Sequence, residues 1–144
     1  MEKMIFVSLP VSDLERSKAF YEAVGAQNVP DFTDDSTAMM KFSETISVML
    51  LTHERFSGFT SRKIANPDEF AQVLLAMSEE SRDAVDETVA RAVAAGGVGD
   101  PNPVEDYGFM YGRSFADPDG HMWGPTWMDV AAAKNAMAEQ AEPA

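Results

Sequence analysis

Two stretches of this chain run through the same order of elements, and that repetition constrains the fold more than any single motif. The first opens with Met4–Pro10, a short apolar run that reads as a buried strand. Ser12 then stands as an N-cap, with Glu15 three residues on completing a capping box. Leu14, Phe20, Tyr21 and Val24 give the following helix its apolar side, and Gly25 stops it. Three strands follow, near Gln27–Phe32, Ala38–Phe42 and Ile46–Thr52. The second stretch starts with a strand over Phe70–Met77, and Ser78 caps a helix carrying Val85, Val89, Ala92 and Val93 that ends at Gly96-Gly97. Strands around Val104–Asp106, Phe109–Phe115 and His121–Met128 close it. The letters of the two halves differ, so what repeats is the pattern β-α-β-β-β.

The last strand enters through an unusual turn. In Asp117-Pro118-Asp119-Gly120, Pro118 presets φ, the aspartates cap local N–H groups, and Gly120 tolerates positive φ. The strand that follows is bulky and aromatic, yet Gly124-Pro125 interrupts it where a central ladder needs N–H donors. Local rules fail most often at functional or strained sites.

Composition narrows the function classes. The 144 residues carry a net charge of −13, which argues against nucleic acid and anionic membrane surfaces as partners. No cysteine is present, so a disulfide framework, a thiolate metal site and a cysteine nucleophile are excluded. No apolar run has the length of a membrane span and no signal-like run opens the chain, so a cytoplasmic protein is expected. There is no phosphate-cradling glycine motif; Gly96-Gly97-Val98-Gly99 follows a helix instead of preceding one.

The run Phe6-Val7-Ser8-Leu9-Pro10-Val11, continued by Asp13-Leu14-Glu15-Arg16-Ser17 and Phe20-Tyr21, resembles the opening of vicinal-oxygen-chelate proteins. That superfamily includes glyoxalase I, bleomycin-resistance proteins, extradiol dioxygenases and fosfomycin-modifying enzymes. Asp117-Pro118-Asp119-Gly120-His121 matches the family's turn before its final strand. The resemblance spans Met4 to Asp129 and is nearest to the small glyoxalase-like proteins. It implies an α+β fold in which two tandem βαβββ modules form curved mixed sheets around a cleft, with a homodimer often completing it. On this reading residues 1–130 are a single domain: module 1 at 1–53, a connector at 54–69 and module 2 at 70–130, before a tail at 131–144.

The resemblance also implies a divalent metal held by His, Glu or Gln on four inner strands, acting as a Lewis acid. The matching positions here are Ser8, Leu50, Leu74 and Gly124, and none supplies a competent ligand. Shifting any strand by one residue brings no donor in. The two histidines, His53 and His121, read as turn or rim residues, so no metal and no other cofactor is expected.

A cleft without a metal remains. Alternation groups Phe6, Ser8 and Pro10; Val48, Leu50 and Thr52; Gln72, Leu74 and Ala76; and Met122, Gly124 and Thr126. If these sets face inward, the floor is mostly apolar, as ligand pockets are. On the seventh strand Phe109, Tyr111, Arg113 and Phe115 share one face, and Met110, Gly112 and Ser114 the other. If the first lines the cleft, Tyr111 and Arg113 meet an anionic or aromatic ligand; otherwise they stack on the outer surface. In the connector, Arg55, Arg62 and Lys63 alternate with Phe56 and Phe59, suiting an acidic or aromatic molecule, a partner subunit, or plain solvation. The expected function is small-molecule binding by a homodimer, the alternative a metal-dependent lyase, dioxygenase or transferase with a rearranged site.

Overall fold

A computed structural model of the chain describes residues 1–141; residues 142–144 of the expected tail lie outside the described residues. The first module contains strand β1 (Ile5–Val11), helix α1 (Leu14–Ala23) and strands β2 (Gln27–Val29), β3 (Thr37–Lys41) and β4 (Ile46–Thr52). They form one sheet, ordered β1-β4-β3-β2, with β1 parallel to β4. A short helix, α2 (His53–Ser57), opens the connector. The second module holds β5 (Leu75–Ser78), α3 (Arg82–Ala94), β6 (Val98–Gly99), β7 (Glu105–Asp106), β8 (Met110–Gly112), β9 (Phe115–Ala116) and β10 (Met122–Met128). Here β10 is the spine, with β5 parallel on one side and β8 and β9 antiparallel on the other. In both modules the opening strand therefore runs parallel to the closing one. Helix α4 (Val130–Ala141) follows, its first turn capped by the Asp129 carboxylate on Ala132 N–H. The result is the expected α+β architecture of curved mixed sheets.

Each helix buries the stripe its sequence dictates. Leu14, Phe20, Tyr21 and Val24 of α1 pack on Leu9, Val11, Ala38, Met40, Val48 and Leu50. Phe115 and Trp123 of the second module join the same core, so the modules share it. Phe20 and Met40 are fully buried, each contributing about 2 kcal/mol. Helix α3 buries Val85, Val89 and Ala92, while Val93 points to solvent. Gly25 and Gly96 end the two helices with positive φ, as expected. Gly97 is needed for space: a Cβ there would lie 2.5 Å from the Ala116 carbonyl and 2.8 Å from the Phe20 ring.

Several boundaries differ from the sequence reading, each for a local reason. Asp13, not Ser12, caps α1, accepting from Arg16 N–H at 3.1 Å, because the Ser12 hydroxyl is engaged by Asp119. Ser81 rather than Ser78 caps α3, since Ser78 is still paired with Thr126 in the β5–β10 ladder. The strand expected at Phe70–Met77 is confined to Leu75–Ser78. Its parallel partner β10 begins only at Met122, and Phe70 N–H instead closes a turn onto the Asn66 carbonyl. Pro30, which has no N–H, converts the end of the second expected strand into a 3₁₀ turn. The strand expected at Phe109–Phe115 splits into β8 and β9. The break lies opposite Gly124-Pro125, where Arg113 N–H still reaches the Pro125 carbonyl at 3.2 Å but Pro125 cannot reciprocate.

Candidate ligand cleft at the module junction

The Asp117–Gly120 turn bonds the second module to the first. Asp119 accepts from Ser12 N–H at 3.0 Å and from the Ser12 hydroxyl at 2.7 Å, and Arg16 lies 3.7 Å away. His121 Nε2 sits 2.7 Å from the Pro10 carbonyl, which fixes that nitrogen as the protonated donor. Beneath the turn a buried chain of donors runs from Trp123 Nε1 to the Tyr21 hydroxyl, 3.0 Å, and from that hydroxyl to Asp117 Oδ2, 2.7 Å. The other Asp117 oxygen accepts from Asp119 and His121 N–H. Burial pushes the Asp117 carboxyl above its ordinary value, opposed by nearby His121, the Tyr21 hydroxyl and the two amides. Burial, and then the charge of Asp117, raises the Tyr21 phenol well above its own.

Beside this latch lies a cavity of about 430 Å³, a size typical of ligand pockets. Strand β1 contributes Ser8 and Pro10 to its wall, and the start of β10 contributes His121 and Met122. The connector lines it with Phe56, Arg62, Lys63 and Ile64, and the start of module 2, ahead of β5, with Phe70, Gln72 and Val73. The Asn66 turn shapes that lining, its side chain accepting from Asp68 N–H at 3.0 Å.

The expected cleft residues divide between this cavity and other places. Ser8, Gln72 and Met122 line it together. Gly124 and Leu74 lie in a second cavity, over the open face of the β10 sheet with Met110, Gly112, Ser114 and Thr126; Met122 borders both. Leu50 does not face a cleft. It is fully buried under α1, paired with Leu9, whereas Ser8 pairs with Met49. β4 lies between two other strands and is apolar on both faces, so alternation left its register undetermined. Thr52 is likewise elsewhere: its hydroxyl caps α2 by accepting from Arg55 N–H at 3.2 Å.

Tyr111 and Arg113 also face away from the cleft. They project to the helix side of the sheet, where the Tyr111 hydroxyl donates to Asp86 of α3 at 2.6 Å. Arg113 reaches Asp86 at 2.9 Å and Asp100 at 2.7 Å. These bonds hold both carboxyls below their ordinary value, the Tyr111 hydroxyl having the largest effect on Asp86 and Arg113 on Asp100. Arg82 completes the network, paired with Asp106 at 2.7 Å and stacked 5.0 Å from the Tyr111 ring. The group pins α3 to its sheet.

The four positions matched to the family's metal ligands do not come together: Leu50 is in the core, and Ser8 and Gly124 line different cavities. Among the described residues no three His, Cys, Asp or Glu side chains converge. A Cβ at Gly124 would meet nothing nearer than 3.6 Å, so the strand leaves space there without supplying a donor.

Residues 3–124 match the model of the Glyoxalase/Bleomycin resistance protein/Dioxygenase superfamily, and the chain belongs to that superfamily. A glyoxalase-related enzyme from Fulvimarina pelagi superposes with a TM-score of 0.75 at 22% identity, covering 90% of this chain and 91% of that one. The fosfomycin resistance protein FosX from Mesorhizobium loti gives 0.66 at 17%, covering 93% and 98%. TnmS3, an antibiotic binding protein from Streptomyces sp. CB03234, gives 0.62 at 22%, covering 90% and 98%. No curated protein matches the sequence.

Proposed function

We propose that this chain is a small-molecule-binding protein that holds its ligand in the junction cavity without a divalent metal. One observation carries the reading. A cavity of ligand size is lined by Ser8, Gln72, Met122 and the connector, yet no metal-binding donor set accompanies it. Apolar walls with a few convergent polar groups suit recognition better than Lewis-acid chemistry. The description of TnmS3 as an antibiotic binding protein supports the same role for this fold.

On this reading residues 1–130 act as one unit and the protein works as a cytoplasmic homodimer. Ile5, Phe6 and Leu74 are each more than half exposed around the open sheet faces, which favours a second copy there. Among the described residues no helix is long and apolar enough to cross a membrane. Light scattering checks the dimer, and cell fractionation the compartment.

Elemental analysis of untagged, dialysed protein tests the central claim. The expected result is no stoichiometric zinc, nickel, iron or manganese. Retained stoichiometric metal overturns it in favour of a rearranged, metal-dependent site. A thermal-shift screen of small metabolites is expected to return at least one that raises the melting temperature by mass action.

A further inference from the structure

The charge lining the junction cavity runs against that of the whole chain. Acidic residues outnumber basic ones by 24 to 11, and each of the other four cavities described has at least one carboxylate in its wall. The junction cavity has none; its ionisable residues are Arg62, Lys63 and His121. Asp68 of the connector lines the adjoining cavity instead, beside Gly120.

The pairing of the basic residues points the same way. Arg16, Lys18, Lys41, Arg82, Arg91 and Arg113 each lie within 4 Å of a carboxylate. Arg55 is stacked 5.0 Å from the Phe59 ring. Among the described residues, Arg62 and Lys63 have no such partner; Lys3 and Lys134 also lack one, but they line no cavity described. Two adjacent cations without ion-pair partners in the wall of a mainly apolar cavity focus a positive potential on it. The apolar part of the wall is Phe56, Ile64, Val73 and Met122 beside Phe70, which is 64% exposed and so offers an unfilled aromatic face.

We propose that the cavity selects amphipathic organic anions, with Arg62 and Lys63 holding a carboxylate, sulfonate or phosphonate-type group and Phe56, Phe70 and Met122 covering an apolar body. This rests on the reading of the junction cavity as a ligand site. It goes further by fixing the sign of the ligand's charge and which residues meet it.

Two fluorescent probes of similar shape test it: anionic anilinonaphthalene sulfonate and uncharged N-phenyl naphthylamine. Wild-type protein is expected to bind the anion more tightly than the neutral probe, with the difference shrinking as salt is added. The double variant Arg62→Gln/Lys63→Gln is expected to lose about tenfold in affinity for the anion, the effect of one charge-assisted contact, while the neutral probe is unaffected. Both side chains are exposed, so unchanged thermal unfolding verifies that the variant is folded. Phe70→Ala is expected to weaken both probes. Equal affinity for the two probes, or an anion indifferent to the double variant, overturns the charge assignment and leaves the site reading standing. Failure of both probes to bind overturns the site reading itself.

Discussion

Replacing Tyr21 by Phe removes one oxygen from the most buried polar chain in the molecule. That hydroxyl is fully buried, donates to Asp117 at 2.7 Å and accepts from Trp123 Nε1 at 3.0 Å. Its loss deletes a bond to a carboxylate, worth about 1.5–3 kcal/mol, and orphans a buried indole N–H, costing about 1–3 kcal/mol more. Partial relaxation brings the expected total to about 3 kcal/mol, or roughly a 10 °C fall in melting temperature for a domain of this size. The cost is also expected to depend on pH. Burial already raises the folded pKa of Asp117, so the folded state binds the proton more tightly than the unfolded state does. Asp117 therefore lowers stability as pH rises from the ordinary carboxyl value through its raised folded value, and the penalty vanishes at lower pH. Tyr21 is one of the groups holding that pKa down, so Tyr21→Phe moves it higher still and deepens the penalty near neutrality. Urea unfolding at pH 7 and at pH 4 measures both effects. A loss below about 0.5 kcal/mol, within the scatter of surface substitutions, or a loss equal at the two pH values, would refute the reasoning.

Three further predictions follow from packing and charge. Gly97→Ala drives a methyl group to 2.5 Å from the Ala116 carbonyl and is expected to cost about 1–3 kcal/mol, read from chemical denaturation. Ser47→Ala is expected to be neutral or to stabilise by up to about 1 kcal/mol, because its buried hydroxyl has no hydrogen-bond partner to lose. The hydrogen bond from Arg82 lowers the Asp106 carboxyl from 3.8 to about 2, so its stabilisation is full above the first value and lost as pH falls through the second. Arg82→Gln is expected to flatten that part of the acid unfolding curve, followed by circular dichroism, by lowering stability slightly at pH 7 while leaving it unchanged at the acid end.

Much of the fold was legible because its signals are local. The helix stripes, the glycine stops at Gly25 and Gly96 and the Asp117–Gly120 turn each depend on neighbours within a few residues. The site was less legible because its facts are distant in sequence. Nothing near Tyr21 signals that its hydroxyl meets Asp117 and Trp123, about a hundred residues on. That Leu50 faces the core under α1 could not be read, because a strand apolar on both sides has no period to follow. Tyr111 and Arg113 share one face of their strand, as alternation requires. Only the placement of Asp86 and Asp100 shows that this face meets helix α3 and not a ligand. The connector residues Arg62 and Lys63 stood out as charge in an acidic chain, but their lack of carboxylate partners needed three dimensions.

Gly124 has a consequence for how this chain can diverge. Its backbone is outside the left-handed region, and a Cβ there clears every neighbour by at least 3.6 Å. Glycine is thus not imposed by the strand: a methyl group here makes ordinary contacts with the Arg113 and Leu75 carbonyls, beside the second cavity. The lining of the second cavity can therefore change at this position by a first carbon without a backbone clash, so the cavity's shape is open to drift at a point where the strand itself does not forbid it.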